Sequence, residues 1–451
     1  MSASLRVAVV GSGPAGFYAA DALLKSEDPA VEVDLLDRLP TPWGLVRLGV
    51  APDHENIKAV SRAFEKTAAR PGFRFFGNVE VGSTVSHEEL LGLYDAVVYT
   101  VGAQTDRRLG IPGEDLPGSW AATEFVAWYN GHPDFQDRTF DLSHERAVVI
   151  GNGNVAIDCA RMLALTSEEL APTDTTPEAI EAICAAGVEE IVMLGRRGPV
   201  QAAFTPPELK ELGELAGADV IVDPKDLELD PASEHALEED RERARRNYEL
   251  LEEFAARPPA GKPRRIVLRF LVSPVAILGS DRVEAVEVVR NELVEEGGRL
   301  VARPTGEPEV IPAGLVLRSV GYKGVPLPGV PFDERTNTIP NDRGRVDGAE
   351  RTYVAGWIKR GPSGVIGTNK KDATETVELL LEDARAGRLE RVSNTVLLSQ
   401  LLDEKGVAFV EYAGWLAIDA AERAAGEPLG RPRVKLTAWE KLLQTGGRIP
   451  R

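Results

Sequence analysis

Cysteine is nearly missing from this chain. Cys159 and Cys184 are the only two in 451 residues and stand far apart, which excludes a disulfide framework, iron-sulfur ligand spacing and a Cys-x-x-Cys redox pair. Any redox chemistry therefore falls to a bound organic cofactor, and no metal site is expected. Positive charge is also in deficit. With 71 acidic residues against 52 basic, the net charge is −19, which argues against a nucleic-acid surface and makes any local cluster of arginines informative. No apolar run approaches the roughly 20 residues that a membrane helix needs, so no membrane span is expected. The start, "MSASLRVAVVGSG", lacks the features of a secretory signal, and a cytoplasmic location is the expectation. Low-complexity tracts and long repeats are absent as well.

The chain is too long for one ordinary core, so two or three domains are expected. From the start to about Gly102 it alternates strand-like "LRVAVV", a glycine turn, a helix, "VEVDLLD", and later "YDAVVYTVG". That alternation argues a parallel sheet with crossover helices. "AQTDRRLGIPGEDLPGSW" breaks the pattern with Gly and Pro and reads as a connection. A second unit begins near "ERAVVIGNGN" and runs through a charged helical stretch, "EEDRERARRNYELLEEFAARPP", into "RRIVLRFLVSPVAILG", "RVEAVEVVRNEL" and "GLVLRSVGY". After Tyr322 the pattern returns to strand, glycine loop and helix in "RTYVAGWIKRGPSGVIGTNKKDATETVELLLEDARAG". A late strand completing the first sheet makes the second unit an insertion within the first. The expected division is residues 1–105, 106–322 and 323–451, with the first and last parts forming one domain.

Two glycine turns carry the chemistry. In "GSGPAG", Gly11, Gly13 and Gly16 fit the dinucleotide fingerprint of tight turn, close backbone approach to a pyrophosphate, and close helix packing. Asp37 ends the next strand, where an acid takes a ribose 2'-hydroxyl. A glycine turn that binds nothing is the plain alternative, and the surrounding strand, helix and acid count against it. The second turn has Gly151 and Gly153, with Ala156 in the third position. Its following strand ends in Arg196 and Arg197 instead of an acid. Guanidinium pairs suit a 2'-phosphate, and at about 1.5–3 kcal/mol each they favour NADP over NAD by a factor on the order of a hundred or more. The polar insert "TSEELAPTDTTPEAIEAICAAG" accounts for the long spacing between turn and arginines. The acid-ended cradle wants FAD or NAD, and FAD beside NADP makes a hydride relay.

Taken together, "GSGPAGFYAADALL", "PWGLVRLGVAPDH", "GNGNVAIDCARML", "GRRGPVQAAFTPPEL", "SVGYK" and "GWIKRGPSGVIGT" resemble the ferredoxin–NADP reductases of the adrenodoxin reductase type. The resemblance spans most of the chain. It implies an α/β fold of two Rossmann-like, glutathione-reductase-like domains, FAD, NADPH, and a ferredoxin or adrenodoxin-like iron-sulfur partner. It further implies FAD contacts at Ala15, Asp37, Leu45 and Val81, with Trp357, Gly364, Val365 and Ile366 closing over the flavin. The NADP contacts it implies are Asn152, Gly153, Asn154, Val155, Arg196, Arg197 and Glu208, with Gly364 beside both cofactors. His54 and Asp158 match polar residues that the family places near the reacting rings. His54 either passes a proton or orients its loop, and Asp158 holds the glycine turn or the histidine. Arg241, Arg243, Arg245 and Arg246 fall where the family binds its partner, interleaved with acids, and Lys359 and Arg360 are further candidates. Two rivals are weighed, a disulfide reductase and a flavin subunit of a larger assembly like that of glutamate synthase. The scarcity of cysteine counts against both.

Overall fold

The computed structural model describes residues 4–240, 242–364 and 366–448. The chain forms two compact units. The first takes residues up to Thr105, the short stretch Asn130–Gln136, and everything from Gly321 on; the second takes Asp106–Tyr129 and Asp137–Val320.

In the first unit, the strand Leu5–Val10 lies within a seven-stranded sheet. It pairs in parallel with Val31–Leu36 on one side and Ala96–Tyr99 on the other. Both faces of such a strand are covered, so it is apolar throughout Val7–Val10, with Arg6 only near its start. Val7 and Val9 enter one core with the Pro14–Leu24 and Thr368–Arg385 helices, while Ala8 and Val10 enter another with Leu36 and Tyr99. The strand period of two produces this division. The late strand Thr352–Val354 pairs in parallel with Ala96–Tyr99, so the chain does return to its first sheet.

The second unit is built on a six-stranded parallel sheet, in the order Ser119–Ala121, Leu315–Arg318, Arg146–Ile150, Glu190–Gly195, Arg264–Phe270, Ala218–Val222. The Asn154–Ala164 helix shares a core with one face of this sheet through Ala147, Val149, Ile191 and Met193. The opposite face, presenting Val148, Ile150, Val192 and Leu194, is buried with an antiparallel sheet of Val272–Leu278, Ala285–Glu296 and Arg299–Pro312.

Two local outcomes differ from simple expectation. The connection after Gly102 is ordered within the second unit, because buried Glu114 accepts from the Leu109 and Gly110 N–H groups at 2.7 and 2.8 Å and from Arg318 at 2.6 Å. The charged stretch is also not one helix. It divides into Pro231–Glu239 and Ala244–Ala256, because the Asp240 carboxylate accepts the Arg243 N–H at 3.0 Å and starts a new turn. The polar insert before the arginines folds as two short helices, Ser167–Leu170 and Pro177–Cys184, capped by Thr166 and Thr176. Glu190–Gly195 nonetheless pairs directly with Arg146–Ile150, which is why the long spacing leaves the arginines beside the turn's own strand.

Candidate functional site

The first glycine turn joins Leu5–Val10 to the Pro14–Leu24 helix. Gly11 has φ of +104°, and a Cβ there would lie 2.7 Å from the Thr100 carbonyl oxygen. A Cβ on Gly16 would stand 1.9 Å from the Gly11 oxygen, so only glycine lets the helix start this close to the turn. Gly13 differs, with nothing within 4 Å of its absent side chain. It is also the N-cap of the helix and supplies no side-chain acceptor. The first-turn N–H groups and the positive end of the helix dipole therefore face open space beside Gly13, the arrangement that takes a pyrophosphate.

Asp37 is half-buried just past the second strand. Its Oδ2 accepts from the Ser12 N–H and hydroxyl at 2.8 and 2.5 Å, and its Oδ1 from the Leu39 N–H at 2.9 Å. Burial pushes its carboxyl up from the usual aspartate range, against these hydrogen bonds. Asp37 thus fixes the glycine turn itself. Leu45 is 40% exposed at the start of a short helix, Leu45–Leu48. Ala15 and Val81 are buried.

Across the same unit, Gly356 follows the Thr352–Val354 strand at φ of +80°, and a Cβ there would meet the Ala15 methyl at 2.7 Å. Trp357 is half-buried, its ring 5.5 Å from that of Tyr322 and its Nε1 donating to the Ser363 oxygen at 3.1 Å. Gly364 is exposed at φ of +78°, and Ile366 packs partly against the core. Val365 lies outside the described residues. His54, 8% exposed, precedes the one-turn helix Glu55–Lys58 and accepts its first N–H bonds through the main-chain oxygen.

The second turn repeats the plan. Gly151 has φ of +137°, with the Ser319 oxygen 2.1 Å from where a Cβ would be, and Gly153 again faces open space as an uncapped N-cap. Ala156 is fully buried in the third position. Asn152 accepts the Ala203 and Phe204 N–H groups at its oxygen, and Asn154 Oδ1 accepts the Thr205 N–H at 2.8 Å. These bonds tie the turn to the segment that leads into the Pro206–Leu212 helix, where Glu208 is buried in the first turn. Val155 packs against the core behind. Asp158 is buried one turn further, 3.4 Å from Arg161. Arg196 is exposed and Arg197 half-buried. Among the described residues no carboxylate is ion-paired with either.

Sequence reasoning passed over several residues that shape these turns. Trp43 and Gly44 both have positive φ, the Trp43 N–H donates to the Ser12 oxygen at 3.0 Å, and a Cβ on Gly44 would stand 2.9 Å from the Gly13 Cα. "PWG" was the available signal. Asp372, whose carboxylate accepts the Gly356 N–H at 2.5 Å, left none. Lys359 and Arg360, in the one-turn helix Trp357–Arg360, are engaged internally. Lys359 Nζ lies 3.0 Å from Asp372, and the Arg360 guanidinium donates to Asn369 and Ser363.

Two uncapped helix N-termini, each behind an open glycine, with an acid at one strand end and paired arginines at the other, define a flavin- and pyridine-nucleotide-dependent oxidoreductase. The profile of the pyridine nucleotide-disulphide oxidoreductase family matches residues 5–193. The chain is 52% identical to the NADPH-ferredoxin reductase FprA of Mycobacterium leprae, with 98% of each chain covered. It is 42% identical to the mitochondrial NADPH:adrenodoxin oxidoreductase of Arabidopsis thaliana, over 98% of this chain and 95% of that one. The solved structure of Mycobacterium tuberculosis FprA in complex with NADPH superposes with a TM-score of 0.93 at 51% identity, covering 98% of this chain and all of that one. The chain belongs to the NADPH-ferredoxin reductases of the adrenodoxin reductase type. Its cofactors are FAD and NADP. No helix among the described residues is long and apolar enough to cross a membrane.

Proposed function

We propose that this protein oxidises NADPH and delivers the electrons singly to a ferredoxin or adrenodoxin-like iron-sulfur protein. The observation that carries the reading is the pair of open glycine turns with opposite charge at their strand ends, in a chain half identical to NADPH-ferredoxin reductases. Bound FAD supplies the conversion of a two-electron hydride donor into one-electron delivery.

The chain's own residues do the rest. Gly11, Gly13 and Gly16 hold the pyrophosphate against the helix N-terminus, and Asp37 and Ala15 position the adenosine side. Leu45 and Val81 contact FAD, and Trp357, Gly364 and Ile366 close over the flavin. The equivalent places for NADP fall to Gly151, Asn152, Gly153, Asn154, Val155 and Glu208, with Arg196 and Arg197 on the 2'-phosphate. His54 and Asp158 are the polar groups nearest in role to the reacting rings, His54 carrying the accompanying proton. With Lys359 and Arg360 engaged internally, exposed Arg245 and Arg246 are the better docking candidates for an acidic ferredoxin.

Anaerobic titration of the yellow protein with NADPH and then NADH, followed by cytochrome c reduction with and without ferredoxin, tests the proposal. Bleaching by NADPH far below the NADH concentration needed, with ferredoxin-dependent cytochrome reduction, is expected. Equal response to both nucleotides, or no dependence on ferredoxin, overturns it.

A further inference from the structure

The strongest unexplained feature is a third arginine beside the Arg196–Arg197 pair. Arg243 stands far along the chain, in the stretch that sequence resemblance assigns to partner docking. Packing brings it back. Val200, three residues after Arg197, forms a small buried cluster with Leu237 and Ala244, the neighbour of Arg243. Asn247, one turn on, is buried and donates to the Phe204 oxygen at 2.9 Å, locking the Ala244–Ala256 helix against the segment that follows the arginines. Arg243 is the N-cap of that helix, whose positive end therefore lies here, met in part by the Asp240 carboxylate, which accepts the Arg243 N–H at 3.0 Å.

The electrostatics agree. Burial, and then the like charges of Arg196 and Arg243, push the Arg197 guanidinium down from its usual value. Among the described residues, the Asp240 carboxylate is ion-paired with Arg243, its Oδ2 lying 3.5 Å from Arg243 Nε. Three guanidiniums within electrostatic reach of one another, with an ion pair to Asp240 at Arg243 alone among the described residues, form a site for an anion carrying more than one charge in a chain of net charge −19. A phosphate monoester has the required charge and three acceptor oxygens.

We propose that Arg243 is a coenzyme-specificity residue that acts with Arg196 and Arg197 on the 2'-phosphate of NADP, and is not a ferredoxin-docking residue. The inference rests on reading the second turn as the NADP site. Arg241 lies outside the described residues and has no part in it.

The test is isothermal titration of the holoprotein with 2',5'-ADP and with 5'-ADP, alongside ferredoxin saturation kinetics, for the wild type, Arg243→Gln, Arg243→Lys and Arg197→Gln. Arg243→Gln is expected to bind 2',5'-ADP about tenfold more weakly, with 5'-ADP binding and the ferredoxin KM unchanged. Arg243→Lys restores part of the loss, because a point charge replaces part of a guanidinium's interaction. Unchanged 2',5'-ADP affinity in Arg243→Gln, while Arg197→Gln loses it, overturns the inference and leaves the NADP site standing; a raised ferredoxin KM then returns Arg243 to the docking face. A wild type that does not distinguish 2',5'-ADP from 5'-ADP overturns the reading of the turn itself.

Discussion

Arg47 and Glu422 stand 375 positions apart and meet in a fully buried bidentate pair at 2.8 and 2.6 Å. Glu422 also accepts from Arg433 at 3.3 Å and from the Leu436 N–H at 2.8 Å, and Lys435 donates to the Arg47 carbonyl oxygen at 3.2 Å. The guanidinium of Arg47 lies over the Trp415 ring. The C-terminal segment therefore braces the Leu45–Leu48 helix, and through Gly44 it braces the turn at Gly13.

Glu422→Gln leaves two buried guanidiniums facing a neutral amide. Breaking such a pair costs about 3–5 kcal/mol, so denaturant unfolding of this variant has a markedly lower midpoint. Because the brace ends at the first glycine turn, the variant is also expected to purify with less FAD. A midpoint and flavin content equal to wild type are incompatible with a brace.

The two glycines of the first turn fail differently. A methyl at Gly13 meets no protein atom within 4 Å, whereas one at Gly16 meets the Gly11 oxygen at 1.9 Å. Gly13→Ala is therefore expected to fold as wild type by circular dichroism and to lose FAD affinity at least tenfold, the methyl occupying the place of the pyrophosphate. Gly16→Ala destabilises the apoprotein as well. Wild-type FAD affinity in Gly13→Ala removes that turn from the cofactor site.

How far the sequence revealed this arrangement depends on the range over which each contact acts. The glycine turns, Asp37 and the insertion of one unit within the other were legible because strand, turn and helix follow one another locally and carry fixed residue types. The brace was not legible, since nothing in "RLGV" or "AAERAAG" marks Arg47 and Glu422 as partners. Lys359 and Arg360, offered by the sequence as docking candidates, illustrate the same limit. They sit in the helix Trp357–Arg360, and only the fold shows Asp372, from the next helix, holding Lys359 at 3.0 Å. The break before Arg243 depends on a side chain competing for a backbone N–H, which helical periodicity does not register.

Asp372 gives a further prediction. Its carboxylate holds both the Gly356 N–H and Lys359, and Thr376 takes the same ammonium at 3.0 Å. Asp372→Ala removes the acceptor that sets the turn before Trp357. We expect a loss of about 1–3 kcal/mol in stability from the orphaned buried donors, together with altered Trp357 fluorescence. Asp372→Asn, which keeps one acceptor oxygen, falls between. Equal behaviour of the two variants argues that the charge on Asp372 matters more than its hydrogen bond to Gly356.

Asp106, in the second unit, sets a pH dependence. Burial pushes its carboxyl up to about 6, although the Thr123 hydroxyl donates to it and Arg318 lies nearby. An unfolded aspartate titrates near ~4, so between those values the native state binds a proton that the unfolded chain has released. The stability this provides is complete below about 4 and is lost as pH rises through about 6, a change of about 3 kcal/mol. Asp106→Asn accepts the same hydroxyl and has no proton to lose. Its unfolding free energy relative to wild type is thus expected to rise by about 3 kcal/mol between pH 4 and 7, read from denaturant titrations across that range. Parallel curves for the two proteins would mean that Asp106 stays charged in the native state, held by Arg318 more strongly than burial opposes it.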